Sequence, residues 1–202
     1  SAVASLFTFI STLHSLCDSP AWVPGDTNGV QLDPNVEKIA QVIMPAIMET
    51  WEAEDDRTAA IEICQSFASC LNKCGPGLIS PQWIEPTCQL TMQILEKKAP
   101  SQIDPEADED EETEDSSEYE SVLISAAMDL VGAMAYVLCD SFMTPMRQFL
   151  PLLCKYYSPG RSVTDHATAI GSLGEITVNM KRAITPFTQD ILAILSHAVG
   201  DE

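Results

Sequence analysis

Asp56-Arg57-Thr58-Ala59-Ala60-Ile61 and, 109 residues further on, Asp165-His166-Ala167-Thr168-Ala169-Ile170 share one pattern. An acid able to cap a helix precedes a basic-type side chain, small residues and an isoleucine. A second echo lies 41 residues apart, Thr144-Pro145-Met146-Arg147-Gln148-Phe149-Leu150 against Thr185-Pro186-Phe187-Thr188-Gln189-Asp190-Ile191. Working outward, Asp33-Pro34, Ser80-Pro81, Thr144-Pro145 and Thr185-Pro186 read as helix starts. The first residue caps orphan amides, and proline suits the first helical position, where its missing N–H would lack a partner anyway. These starts are spaced 47, 64 and 41 residues apart. The long interval contains the 17-residue acidic stretch Asp104–Glu120, and without it that spacing is also 47.

The apolar period is helical almost throughout, with no sustained strand-type alternation. It predicts four helix pairs: 1–16 with 34–52, 56–74 with 81–98, 119–140 with 145–157, and 164–180 with 186–199. Gly75-Pro76-Gly77 and Ser158-Pro159-Gly160 read as helix stops. A two-helix unit repeating every ~40–47 residues is the mark of HEAT or armadillo repeats. The expected fold is therefore all-α: one HEAT-repeat α-solenoid over 1–202, with its pairs (1–52, 56–98, 119–157, 164–199) stacked in a right-handed superhelix. A plain helical bundle is the competing architecture, but bundles need no fixed period. Ala59, Ala60, Ala126, Ala127, Ala169, Gly171 and Gly174 fall on first helices, where small residues are expected to admit a close neighbour. Ser1 opens in mid-helix pattern, so the chain reads as a piece of a longer one.

The 202 residues carry 30 acids against 10 bases, a net charge of −20. Such a surface repels phosphate backbones and anionic lipid, so direct nucleic-acid binding and membrane-surface binding are disfavoured and basic partners are favoured. Eleven of the acids, and no base, fall within Asp104–Glu120, which leaves −9 elsewhere. Seven cysteines, an odd number lying mostly in apolar helical patterns, point to a reducing compartment. Cys70 and Cys74, at i and i+4, invite a zinc reading with Cys64 or Cys88. Without a C-x-x-C pair or a nearby histidine, buried structural thiols fit better. Ser121–Leu138 is apolar enough to suggest a membrane span, yet Asp129 and acidic flanks favour a core helix, so no membrane insertion is expected. Gly171-Ser172-Leu173-Gly174 is no phosphate loop, because no strand precedes it and no Lys-Ser/Thr follows. No nucleophile–base pair is visible either, so the chain reads as non-enzymatic, without cofactor or metal.

The C-terminal half carries a resemblance. An acidic run ending in Glu118-Tyr119-Glu120 precedes an apolar helix and then Ser141-Phe142-Met143-Thr144-Pro145-Met146-Arg147-Gln148-Phe149-Leu150-Pro151-Leu152-Leu153. The next repeat follows as Val163-Thr164-Asp165 through Ala169-Ile170-Gly171-Ser172-Leu173-Gly174-Glu175-Ile176, and then Ile184-Thr185-Pro186-Phe187. These stretches resemble the importin beta (karyopherin beta) superfamily, and within it the importin four class with its fungal karyopherin relatives. The likeness is strong from about Asp108 to Glu202 and mainly periodic from Ser1 to Pro100. It implies a segment of a nuclear transport receptor that shuttles between cytoplasm and nucleus and carries basic cargo (nuclear localisation signals, histones, ribosomal proteins). It also implies contact with the phenylalanine-glycine repeats of nucleoporins, and cargo release by Ran-GTP through the parent protein rather than this piece. In that family first helices line the outer surface and second helices the inner, cargo-facing one. A HEAT scaffold or an acidic histone-chaperone-like module is the alternative reading.

On that analogy the polar residues of second helices are cargo-facing. Glu85, Gln89, Gln93 and Glu96 fall at i, i+4, i+8 and i+11 and make one stripe. Gln41, Glu49 and Glu52 form the corresponding stripe before it, and Gln189 and Asp190 belong to the last. Trp83 and Trp51 are expected to cover lysine stems. The acids Asp108, Glu109, Asp110, Glu111, Glu112, Glu114 and Asp115 sit in a flexible acidic insertion at 100–118 expected to capture basic segments. Ser117 is expected to cap a helix starting near residue 118, with Glu120 completing a capping box. Arg57 suits the Asp/Arg ladder that HEAT repeats use between units, with His166 in the equivalent place.

Overall fold

The computed structural model describes residues 1–17, 22–23, 32–103 and 114–200. Among them stand eight α-helices and no strand. The helices are α1 (Ala2–Leu16), α2 (Pro34–Glu52), α3 (Arg57–Cys74), α4 (Pro81–Leu95), α5 (Glu114–Leu138), α6 (Met143–Tyr156), α7 (Val163–Met180) and α8 (Thr188–Gly200). The first helices α1, α3, α5 and α7 pack side by side in chain order, while α2, α4 and α6 form a second row and α8 packs on α7. This is an all-α helical-repeat solenoid, and the echoing segments at Asp56 and Asp165 open helices of the same row. Backbones approach more closely between α4 and α5, and between α6 and α7, than within the pairs α3/α4 and α5/α6. The second helices α4 and α6 thus lean on the unit that follows, whereas α2 packs on its own partner α1.

Aromatic and aliphatic side chains weld the rows together. Phe7 of α1 stacks on Phe67 of α3 at 4.3 Å between ring centroids, and Trp51 of α2 meets Phe67 edge-on at 6.1 Å. The middle of α5 is buried round most of its circumference, with Leu123, Ala127, Leu130, Val131 and Met134 all fully covered. The stretch Glu118–Tyr156 is long and apolar enough to cross a membrane, yet 67% of its most apolar window is buried inside the fold. Packing between helices therefore accounts for its hydropathy. At the far end of the second row, the Tyr156 hydroxyl donates to the Leu95 carbonyl at 2.7 Å and ties the end of α6 to the end of α4. The connection after α1 reaches further. Trp22 lies over Gly75, where a Cβ would come within 2.6 Å of the indole, and sits edge-on to Tyr136 of α5 at 5.0 Å. Gly75 also has φ +72°, so glycine is required there twice over.

The helix starts divide into two kinds. Asp33 caps α2 by accepting from Asn35 N at 2.8 Å, Asp56 caps α3 through Ala59 N at 2.7 Å, and Ser162 caps α7 through Asp165 N at 3.0 Å. Ser80 precedes Pro81 as expected, although its side chain makes no capping bond. Thr144 and Thr185 are not caps. A 3₁₀ turn at Cys139–Phe142 runs directly into α6, and another at Lys181–Phe187 runs into α8, so turn carbonyls precede these starts. Ser117 is not a cap either, because α5 already begins at Glu114. Of the stretch 100–118, Pro100–Gln102 forms a 3₁₀ turn and 114–118 belong to α5. Arg57 Nε donates to the Ser101 carbonyl at 3.1 Å, fastening the start of α3 to the turn after α4, and the equivalent His166 contacts the Ser158 carbonyl at 3.1 Å. Proline interrupts α2 at Pro45, α4 at Pro86 and α6 at Pro151, so each of these second helices lacks one ladder N–H.

The glycine expectation fails in an instructive way. A Cβ at Gly171 or Gly174 meets nothing within 4 Å, and both residues are exposed. The glycine at a close approach is Gly132 of α5, where a Cβ would lie 3.0 Å from a Glu175 carboxylate oxygen and where the carbonyl accepts from Asn179 Nδ2 at 3.3 Å. Ala60, Ala126, Ala127 and Ala169 are buried as expected, and Ala59 is half-buried. Open glycines in a helix interior cost backbone entropy for nothing in return. Gly171→Ala and Gly174→Ala should therefore each stabilise the chain by roughly 0.5–1 kcal/mol in chemical denaturation.

Glu175 also faces a like charge. Its carboxyl is pushed up by burial and by the neighbouring Asp129, whose own carboxyl burial raises as well. A carboxyl raised in the folded state binds its proton more tightly there than in the unfolded chain. The contribution of these two carboxyls to stability is thus greatest at low pH within the carboxylate range and is lost as the pH rises through it. Glu175→Gln should raise the neutral-pH melting temperature and flatten its dependence between pH 4 and 6. An unchanged slope would show that the two carboxylates do not interact.

Candidate protein-binding surface

The side of the second row turned away from the first helices is the surface on which the sequence places its polar stripes. On α2, Glu49 and Glu52 are exposed, and Gln41 is held by Glu37 through a 3.1 Å bond one turn away. Trp51 does not join them. It is 4% exposed and packs inward on Phe67, so it cannot cover a partner's lysine stems. On α4, Glu85 and Gln89 are exposed and joined by a 3.2 Å bond, whereas Gln93 is half-buried beside Trp51 in a small cavity. Glu96 is the C-cap of α4 and pairs with Lys98 at 2.7 Å, so part of its charge is already met. Trp83 is half-buried near the start of α4, and its indole N–H has no hydrogen-bond partner among the described residues.

The end of the acidic run is pinned. Gln102 Nε2 donates both to the Ile94 carbonyl at 3.1 Å and to Glu120 at 2.9 Å, and Lys97 lies 3.6 Å from the same carboxylate. Glu114 and Asp115 occupy the first turn of α5, while Asp108, Glu109, Asp110, Glu111 and Glu112 lie outside the described residues. The structure therefore assembles Glu49, Glu85, Gln89 and Trp83 on one row of helices and ties Glu120 to the end of that row.

Sequence reasoning missed two features. The exposed side of α6 carries Arg147 and Lys155 and no acid, a local reversal hidden by the net charge of the chain. A cavity of about 470 Å³ also opens between α6 and α8, walled by Cys154 and Tyr157 on one side and Ala193, Ile194 and His197 on the other. Pro159 and His166 close its end, with the His166 and Tyr157 rings 4.6 Å apart. The spacing of Asp190, Ile194 and His197 at i, i+4 and i+7 was the available signal, since it puts all three on one face of α8.

Among the described residues no three of His, Cys, Asp and Glu come together as metal ligands. Cys70 and Cys74 stand 3.8 Å apart and buried, with the Cys70 thiol pushed up first by its hydrogen bond to Cys74 and then by burial. Burial pushes the Cys64 and Cys88 thiols up to about 12, with Glu85 adding to the effect on Cys88. Cys17, Cys139 and Cys154 are half-buried. In native alkylation followed by mass spectrometry, Cys64, Cys70, Cys74 and Cys88 should stay unmodified while those three react. Fast labelling of Cys64 would contradict this packing.

No family model matches the chain. Among curated proteins it is similar over its whole length to the probable importin subunit beta-4 of Schizosaccharomyces pombe, at 31% identity over 209 aligned residues. It is also similar to importin-4 of Homo sapiens, at 26% identity over 95% of the chain, and to importin-4 of Mus musculus, at 25% over 96%. All three are named as importins and none as an enzyme. The chain spans only 17–19% of the length of these relatives.

Proposed function

Because the chain is a relative of the importin beta family, we propose that it is a segment of a nuclear transport receptor whose second helices hold basic cargo. The observation that carries this reading is the exposed acid and amide surface of α2 and α4, with Glu49, Glu85 and Gln89 facing solvent and Trp83 half-buried beside them. Carboxylates there pair with lysine and arginine of a cargo segment, and the amides bond to its extended backbone. The acidic run at 104–120 adds long-range attraction, which speeds encounter more than it fixes register. Histones, ribosomal proteins and nuclear localisation signals have the matching composition. In the parent protein, contact with phenylalanine-glycine repeats of nucleoporins and release by Ran-GTP complete the cycle between cytoplasm and nucleus.

The test is association of the full chain with a histone-tail peptide. Glu49→Lys combined with Glu85→Lys should weaken binding about tenfold, equivalent to about 1.4 kcal/mol. Deleting 105–116 should lower the on-rate at low salt and reduce the salt slope, since screening at about 0.15 M limits electrostatic reach to about 8 Å. Unchanged affinity in the double variant would place the cargo site elsewhere. An unchanged on-rate after the deletion would leave the acidic run no part in capture.

A further inference from the structure

Where α2 gives way to α3 the chain carries four acids in five positions, Glu52, Glu54, Asp55 and Asp56. Glu52 is the last residue of α2, where the helix dipole already presents negative charge and favours a cation. Part of the acidity is spent locally. Asp56 caps α3 through Ala59 N at 2.7 Å, and one Glu54 oxygen accepts from Asp56 N at 3.2 Å. Beside this junction lies a cavity of about 10 Å³ whose lining includes Glu52, Glu54, Gln93 and Ser101, with Trp51 against it. That is about the room one water or one bare ion takes. Ser101 is 4% exposed, and its hydroxyl has no hydrogen-bond partner among the described residues. A buried hydroxyl left unmet is costly, so the hole beside it suits an occupant that meets it. Arg57 is the base that opposes a cation here. Its Nε is on the Ser101 carbonyl at 3.1 Å, one positive charge against four acids.

We infer that this small cavity is a site for a hard divalent cation, and its donor set selects calcium. Two carboxylates, the Gln93 side-chain carbonyl and the Ser101 hydroxyl are all oxygen donors. Calcium takes roughly six to eight oxygens in flexible geometry and completes its shell with water, whereas magnesium demands a near-ideal octahedron. The donors come from the end of α2, the loop after it, α4 and the 3₁₀ turn Pro100–Gln102. Two carboxylates joined by neutral oxygens suit this ion, so the site needs no cluster of three His, Cys, Asp or Glu side chains. Water is the competing occupant: it fits the room but leaves the charge of the loop unmet. A bound ion ties the end of α2 to the turn that follows α4, and so joins the first two helix pairs at their edge. Glu49, Glu85 and Gln89, which carry the basic-cargo reading, are not among the donors, and the two proposals stand independently.

The test titrates the full chain with terbium(III) chloride, a calcium stand-in whose emission is excited through a nearby indole, and then with calcium chloride or magnesium chloride. Trp51 lines the cavity, so saturable sensitised emission is expected, reversed by calcium at about tenfold lower concentration than by magnesium. In the wild-type chain calcium chloride should also raise the melting temperature, a readout that needs no variant to fold. Trp51→Phe should remove the emission while the calcium-dependent melting shift persists. Glu52→Gln with Glu54→Gln should remove both, and Ser101→Ala should weaken terbium binding about tenfold. Deleting 105–116 should leave the Trp51-sensitised emission unchanged, which separates this site from the acidic run. No saturable emission, or no calcium-dependent melting shift, would mean that the cavity holds a water only and would overturn the inference. Emission that survives Trp51→Phe or the double glutamine variant, or that is lost with 105–116, would place the ion elsewhere and overturn it equally.

Discussion

A helix without a usable polar face cannot exist alone in water, and α5 is that helix. Its middle section is covered by α3 on one side, α7 on the other and α4 beneath. Burying one leucine-sized side chain contributes about 1.5–3 kcal/mol, and only the assembled stack supplies enough covered surface to offset the entropy of ordering each unit. The other ties are consequences of this stacking. The Tyr156 hydroxyl is carried into the interior with α6 and finds the Leu95 carbonyl there, as a buried hydroxyl must. Burial pushes that hydroxyl's pKa upward, which keeps it a donor.

Helix identity was legible because the 3.6-residue period survives wherever one side of a helix is buried. Ends were less legible. Asp33 and Asp56 act as the cap rule requires, but Thr144 and Thr185 stand in the same local sequence and do not, because a preceding 3₁₀ turn runs straight into the helix. That turn depends on how α5 and α7 finish, and a Thr-Pro dipeptide carries no information about it. Close approach was misread for a similar reason. Gly171 and Gly174 have the local look of a contact, yet which side of α7 meets α5 is a tertiary fact, and the contact falls on Gly132 opposite Glu175. Trp51 was expected to face a partner by analogy with cargo-facing second helices, whereas packing on Phe67 draws it inward.

The candidate surface was half legible. A polar stripe announces itself by periodicity, and Glu85 and Gln89 appear where the stripe puts them. The cleft between α6 and α8 draws its walls from three helices and a loop, so no window of sequence contains it. Net charge also hid the local reversal on α6, because a total dominated by 104–120 conceals Arg147 and Lys155 on one helix. Read helix by helix, the second row changes sign between α4 and α6.

Repeat arrays are commonly treated as beads that feel only adjacent beads, so that the outermost unit peels away first and independently. Trp22 breaks that rule. It leaves the first pair, crosses the glycine turn of the second and rests on Tyr136 of the third. Separating the first pair strips a ring from the third, which makes that opening a joint event of three units. A single indole thus turns a chain of neighbours into a cooperative block, and the smallest piece of this array that melts as one is larger than one repeat.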